Sequence, residues 1–213
     1  MGNLQEGGAI MTKHFFTYRQ PLKLEGGETL TSVDVVYHTA GTLNTDKSNV
    51  IWFCHALTAN SDVLDWWNSL CGEGKTFDPS KYFIVCANIL GSCYGSSGPL
   101  TSNPTSKNPY YSQFPQVTIR DMVQAHIALR KHLNLGKINT LIGGSMGGYQ
   151  VLEWALTEPD VFDHLILVAT GAHESAWGVA IHTAQRLAIE TDPTWKELQP
   201  HAGAKGLKTA RAI

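Results

Sequence analysis

The segment Asn139–Gln150, with the sequence NTLIGGSMGGYQ, decides how this chain folds. Its opening NTLI predicts a short buried strand, and a helix is predicted from Ser145 to Leu156, ending before Glu158-Pro159. Between them stands Gly143-x-Ser145-x-Gly147, the pattern of a tight strand-to-helix turn that lifts its central hydroxyl clear of a sheet. The glycines are expected because side chains there would collide with the turn. The pattern alone is a weak signal. Its context favours a nucleophile elbow, and not a glycine-rich turn without a chemical role.

Outside this segment, apolar runs alternate with helical patterns, which indicates α/β architecture. Unbroken apolar runs are typical of strands buried on both faces of a parallel sheet. The predicted strands are two opening ones, His14–Tyr18 and Val33–His38, and four buried ones, Val50–Cys54, Tyr82–Ala87, Asn139–Ile142 and His164–Ala169. A further helix is predicted from Thr118 through Leu133. A helix-like pattern covers residues 176–190 and is followed by a predicted loop punctuated by proline and glycine.

Composition narrows the function classes. The chain has 213 residues, 43% of them apolar, a net charge of −2 and a pI of about 6.5. Without a basic block, nucleic acid and membrane are not expected as partners. No apolar run approaches the roughly 20 residues that span a bilayer, and the N-terminal residues lack the pattern of a secretory signal. The four cysteines form no CxxC pair, so we expect a cytoplasmic protein without disulfides and no metal site.

Two loops follow predicted buried strands, at the sheet edge where ligands collect in α/β folds. His55-Ala56-Leu57-Thr58 follows the strand VIWFC, where this type of fold supplies a second oxyanion N–H. That position favours a structural role for His55 over a catalytic base. The long stretch of residues 89–115, rich in Gly, Ser, Asn and Pro, favours a functional loop over a tolerated surface insertion.

Five sequence blocks together resemble the homoserine O-acetyltransferase family of α/β-hydrolase-fold enzymes. The blocks are HALT (55–58), NILGSCYGSSGP (88–99), FPQVTIRDMV (114–123), GGSMGGYQVLEWA (143–155) and GLKTAR (206–211). They occur in family order, from about residue 14 to the end of the chain.

The resemblance implies an acyltransferase that moves an acetyl group from acetyl-CoA to the hydroxyl of L-homoserine, in methionine biosynthesis. It makes Ser145 the nucleophile and the backbone N–H groups of Leu57 and Met146 the oxyanion hole. It makes Arg211 the residue that binds the carboxylate of the amino-acid substrate, because a guanidinium can grip a carboxylate with two hydrogen bonds. It further implies no cofactor beyond the co-substrate acetyl-CoA, and a homodimer for the full-length protein.

The chain departs from the family after Ser145. The family order places an Asp and then a His later in the chain, but too few residues follow for the remaining strands. We therefore expect residues 1–170 to form the hydrolase core, residues 171–213 to begin a helical lid, and the C-terminal strands and triad partners to lie beyond residue 213. His173, His182 and His201 fall in the expected lid and are not candidates for the base.

Three hypotheses stay open from the sequence. The first is the acetyltransferase, the second a serine esterase or other hydrolase with the same elbow, and the third an inactive truncated product that lacks its base and acid. The sequence does not separate an acetyl from a succinyl donor, or homoserine from serine as acceptor.

Overall fold

The fold is described from a computed structural model, which covers residues 10–213. Residues 1–9 lie outside the described residues, so the expectation that the chain carries no secretory signal falls largely on a segment that is not described. Within residues 10–213, no helix is both long and apolar enough to cross a membrane.

The described strands form a six-stranded sheet and a separate short hairpin. The strands of the large sheet are β1 (Thr12–Tyr18), β4 (Val33–Ala40), β5 (Val50–Cys54), β6 (Phe83–Ala87), β7 (Ile138–Gly144) and β8 (Phe162–Val168), and those of the hairpin are β2 (Leu22–Lys23) and β3 (Thr29–Leu30). In space the order is β1-β4-β6-β5-β7-β8. The first three pair antiparallel, whereas β6, β5, β7 and β8 are parallel. The predicted α/β-hydrolase-type sheet is therefore confirmed.

The helices begin and end where local signals place them. They are α1 (Val63–Trp66), α2 (Ile119–His132), α3 (Met146–Thr157), α4 (Ala176–Glu190) and α5 (Ala204–Ala210), with short 3₁₀ turns at Tyr111–Gln113 and Pro159–Val161. Thr118 caps α2 in a reciprocal capping box with Asp121. Helix α5 lies in the stretch predicted to be loop, because its glycines and a nearby proline hid a seven-residue helix.

The core of the sheet is split by the alternation of side chains along β5. Ile51 and Phe53 point to one face, where they pack with Val63 of α1 and with Phe77. Trp52 points to the other face and meets Trp154 of α3 edge-on, with ring centroids 5.1 Å apart. All five residues of β5 are buried, so both faces of this strand contribute to the core.

Strand β8 corrects one prediction. The run HLILVA forms the expected parallel strand, but the expectation that it is buried on both faces is wrong. Leu165 and Leu167 are each 42% exposed, and Ile166 is 37% exposed. The physical reason is position, because β8 is an edge strand of the described sheet and pairs with β7 alone.

The chain divides into two compact units. The first contains residues up to Ser96 together with Val117–Thr170, and it holds the large sheet, α1, α2 and α3. The second contains Ser97–Gln116 and Gly171–Ile213, and it holds α4 and α5. The long loop predicted over residues 89–115 is thus shared between the two units.

Within the second unit, Asp192 organises the turn between α4 and α5. Its carboxylate accepts hydrogen bonds from the N–H of Thr194 (3.0 Å), the hydroxyl of Thr194 (2.7 Å) and the N–H of Gly206 (3.0 Å). These bonds to the charged form, that from the Thr194 N–H first, lower the pKa of Asp192 to about 2. The carboxylate therefore ties the turn after α4 to the first turn of α5.

Candidate active site

The turn between β7 and α3 presents Ser145. The backbone of this residue has φ 52° and ψ −121°, a left-handed conformation that non-glycine residues rarely adopt. Its N–H donates to the carbonyl of Val168 (3.0 Å), and its own carbonyl accepts from the N–H of Gly148 (2.9 Å). The residue is exposed, so the strained backbone holds the hydroxyl open to a reactant.

Two glycines make this turn possible, as the sequence predicts. A Cβ atom on Gly143 would lie 2.3 Å from the carbonyl oxygen of Gly147, and one on Gly147 would lie 2.0 Å from that of Cys54. Both distances are far inside van der Waals contact, and the opposing atoms are backbone. The second contact also shows how closely the end of β5 approaches the start of α3.

The HALT loop therefore lies beside the nucleophile turn. The ring of His55 in this loop is buried, and both of its nitrogens are hydrogen-bonded. The N–H of Ile89 donates to Nε2 (3.3 Å), so the proton is on Nδ1, which donates to the carbonyl of Ala56 (2.8 Å). Burial lowers the pKa of His55 and keeps the ring neutral. Its position supports the predicted structural role and not that of a base.

These contacts orient the two predicted oxyanion donors. In a trans peptide the C=O and N–H point in opposite directions, so the inward carbonyl of Ala56 turns the N–H of Leu57 outward. The N–H of Met146 is in the first turn of α3 and has no acceptor four residues earlier in the helix. Helix N-terminal N–H groups favour developing negative charge.

The segment after β6 is rigid where it adjoins the HALT loop. Asn88 accepts from the N–H of Ser61 through its side-chain oxygen (2.9 Å), and its carbonyl accepts from the hydroxyl of Ser96 (2.8 Å). The same hydroxyl oxygen of Ser96 accepts from the N–H of Val36 (3.0 Å). Asn88 and Ser96 are both buried. Asn88 and Ser96 thus form a buried polar network, which the composition of the segment does not predict.

Arg211 belongs to a different compact unit from the other candidate residues. Arg211 is the C-cap of α5 in the second unit, where its side chain is exposed and its N–H donates to the carbonyl of Leu207 (2.9 Å). Ser145, Met146 and Leu57 belong to the first unit. The structure thus brings three of the four predicted site residues into one region.

Two further observations bear on the chemistry available. Within the part of the chain that the structure describes, no hydrogen bond joins the Ser145 hydroxyl to an imidazole, and no group of three His, Cys, Asp or Glu side chains could hold a metal ion. The four cysteines are free thiols, three of them buried. The described residues thus present an exposed serine hydroxyl with backbone N–H groups beside it.

Comparison with known proteins identifies the family. The pattern of the family described as alpha/beta hydrolase fold matches residues 49–208. The chain belongs to the alpha/beta hydrolase fold family. It is 51% identical over 203 residues to a homoserine O-acetyltransferase of Cyclobacterium marinum, covering 95% of this chain and 58% of the relative. The predicted resemblance to the homoserine O-acetyltransferases is confirmed.

Solved structures of this hydrolase fold agree with the sheet. A homoserine O-acetyltransferase from Bacillus anthracis superposes with a TM-score of 0.86 at 30% identity, covering 94% of this chain and 58% of that one. The esterase E22 superposes with a TM-score of 0.86 at 29% identity, covering 95% and 60%. The chain therefore spans somewhat less than two thirds of the length of these proteins.

Proposed function

We propose that the full-length protein transfers an acetyl group from acetyl-CoA to the hydroxyl of L-homoserine through an acyl-enzyme on Ser145, a step of methionine biosynthesis. The Ser145 oxygen bonds to the thioester carbonyl carbon while the C–S bond breaks and CoA leaves as the thiol. The homoserine hydroxyl then attacks the acyl ester, which releases O-acetylhomoserine and restores the serine. The observation that carries this proposal is the exposed Ser145 at its left-handed turn, in a chain whose curated relatives bear that enzyme name.

The oxyanion hole of both steps consists of the Leu57 and Met146 backbone N–H groups. The anchored carbonyl of Ala56 and the helical start at Met146 support this assignment. A donor of this kind contributes by stabilising charge that develops only in the transition state. Proton transfer needs a base, and none of residues 10–213 donates to or accepts from the Ser145 hydroxyl. We assign the base and its acidic partner to the remainder of the full-length protein.

The test of the nucleophile is direct. Incubation of the full-length protein with acetyl-CoA should add one acetyl group to the wild type and none to Ser145→Ala, measured by intact-mass spectrometry. An adduct of equal yield on the alanine variant would contradict the assignment.

Arg211 is proposed to bind the homoserine carboxylate, because an unpaired carboxylate in a closed site costs several kcal/mol. Arg211→Ala in the full-length protein should lower kcat/KM for homoserine. The expected loss of transition-state stabilisation is about 2–5 kcal/mol, the range for removing one partner of a buried charge pair. Arg211→Lys should recover only part of the loss, since an ammonium cannot make the two-pronged contact. A collapse of the CoA-release burst with an unchanged homoserine KM would assign Arg211 to the donor side or to folding.

A second candidate is ester hydrolysis, because the esterase E22 superposes as closely as the acetyltransferase structure does. The two reactions share the acyl-enzyme and differ in whether water or homoserine resolves it. Product analysis separates them, since the transferase yields O-acetylhomoserine and the hydrolase yields acetate from the same acetyl-CoA. The higher identity to relatives named as acetyltransferases favours the first.

Assembly and location complete the proposal. Helix α4 leaves Trp177, Val179 and Leu187 between 46% and 76% exposed, an apolar surface that supports the expected homodimer. Light scattering of the full-length protein tests it. Free cysteines and acetyl-CoA as donor support the cytoplasm as its location. The division into a core of residues 1–170 and the beginning of a lid at 171–213 remains a prediction.

A further inference from the structure

The side-chain amide of Gln150 is fully buried in the second turn of α3, close behind Ser145. A buried amide costs free energy unless its polar atoms are hydrogen-bonded, so its partners indicate why it is there. It has three of them, and two are backbone carbonyls on different segments of the site.

The Nε2 of Gln150 donates to the carbonyl of His55 and to the carbonyl of Met146, each at 3.3 Å. Its Oε1 accepts from Nε2 of His126 at 3.0 Å. Carbonyls only accept, so the amide nitrogen must face them and the amide oxygen must face the ring. His126 therefore carries its proton on Nε2.

The ring of His126 is itself immobilised. It stacks on Trp154 with centroids 5.7 Å apart and meets Trp52 edge-on at 6.0 Å. Burial lowers the pKa of His126 to about 4, so the ring is neutral near pH 7. The neutral His126 ring, fixed in place, donates from Nε2 and so holds the Gln150 amide in one of its two possible orientations.

The two carbonyls that Gln150 joins adjoin the proposed oxyanion donors. The carbonyl of His55 belongs to the peptide unit before the one that carries the Leu57 N–H, and the carbonyl of Met146 belongs to the unit after its own N–H. We infer that Gln150 is a positioning residue that sets the separation of the two oxyanion N–H groups by tying the HALT loop to the start of α3. The inference rests on the proposed function, in which Leu57 and Met146 stabilise the acyl-transfer transition state.

Packing alone does not require an amide at this place. A methionine would occupy a similar volume without burying polar atoms. Oxyanion donors, however, act only when they lie about 2.7–3.1 Å from the developing charge. Two donors on separate segments need a fixed separation, and the Gln150 amide is a direct side-chain link between those segments.

The experiment compares Gln150→Met with Gln116→Met in the full-length protein. Gln116 is exposed, so its variant makes the same chemical change without removing a buried, hydrogen-bonded amide. Three quantities are measured: the rate constant of Ser145 acylation from the CoA burst, the Kd of CoA by calorimetry, and the melting temperature. We expect acylation to slow by about 10–100-fold for Gln150→Met, somewhat less than removal of an oxyanion donor outright. The Kd of CoA should stay within twofold, and Gln116→Met should match the wild type in all three.

A folded Gln150→Met protein whose acylation rate stays within threefold of wild type would overturn the inference. So would equal losses in acylation rate and CoA affinity, which indicate a general distortion. Should Gln150→Met melt below the assay temperature, Gln150→Glu provides the second variant, since a carboxylate of the same shape also lacks the two donors. If both variants fail to fold, the amide serves the fold and the inference is wrong.

The same data separate this inference from the proposed function. A wild-type protein that forms no acetyl adduct on Ser145 overturns both. Normal acylation of the wild type together with normal acylation of Gln150→Met overturns the inference alone.

Discussion

Strands β5 and β8 flank the same strand, β7, yet they differ in every measure of burial. Both are parallel to β7 and paired with it, and both carry a run of apolar residues, VIWFC in β5 and LILV in β8. Every residue of β5 is buried, whereas in β8 all residues but Phe162 are exposed. The difference shows that apolar composition predicts a strand, but neighbours determine whether the strand is covered. We call the β5 side of β7, where the HALT loop lies, the closed side. On the other side of β7, β8 has no further strand beside it in the described residues.

The closed side should tolerate no added atom at the contact between β5 and α3. Gly147→Ala should destabilise the protein by more than about 3 kcal/mol, because its Cβ would lie 2.0 Å from the carbonyl oxygen of Cys54 and neither backbone can yield easily. Chemical denaturation measures the loss. Gly136→Ala is the control, since a Cβ there meets nothing within 4 Å. Equal stability of Gly147→Ala and wild type would mean that the two elements can separate.

A matched pair of isoleucines tests the comparison itself. Ile51 in β5 is 1% exposed and Ile166 in β8 is 37% exposed. Ile51→Ala should lower the free energy of unfolding by about 2–5 kcal/mol, the usual cost of truncating a fully buried isoleucine. In the 213-residue chain, Ile166→Ala should cost roughly 1 kcal/mol, since much of that side chain remains in water. Urea denaturation of the two variants decides it, and equal losses would show that β8 is covered in solution.

Acidity should weaken the closed side through His126. Its pKa is lowered to about 4 in the folded state, first by burial, against an ordinary value of 6.5. The unfolded chain therefore binds the proton more readily than the folded protein does. Above about pH 6.5 His126 causes no loss in the free energy of unfolding, and the loss grows as the pH falls toward 4. The loss should reach about 3 kcal/mol, from 1.36 kcal/mol per pKa unit.

The pH prediction has its own control. Stability measured from pH 7.5 to 4.5 should fall less steeply in His126→Gln than in the wild type, with a residual slope from His55, whose pKa is also lowered by burial. Identical slopes in the two proteins would assign the acid sensitivity to other groups.

The sequence predicts much of the fold because the signals are local. The run VIWFC, the capping residue Thr118 and the glycines around Ser145 each act within a few residues, and the structure has a strand, a helix start and an elbow there. The exposure of β8 could not be predicted, because it depends on which elements lie beside the strand. Helix α5 was hidden by its own glycines, which serve close approach to α4 at Gly206.

The candidate site divides in the same way. Ser145 carries a turn pattern that is visible in the sequence, and Leu57 and Met146 are assigned through the resemblance to the homoserine O-acetyltransferase family. Gln150 gives no signal of its own, since a glutamine inside a helix is ordinary until its three partners are known. Two of these hydrogen bonds join residues that are 24 and 95 positions apart in the chain. Such long-range partners cannot be predicted from the local sequence pattern.

The left-handed backbone of Ser145 also limits which side chains could replace it during evolution. Threonine carries the same hydroxyl, but its branched Cβ is poorly accommodated at φ 52°. Cysteine is unbranched at Cβ and fits the same backbone. The turn can therefore accept Ser145→Cys, whereas Ser145→Thr, which adds a single methyl group, is disfavoured. The conformation of one residue thus restricts the chemistry that descendants of this protein could explore.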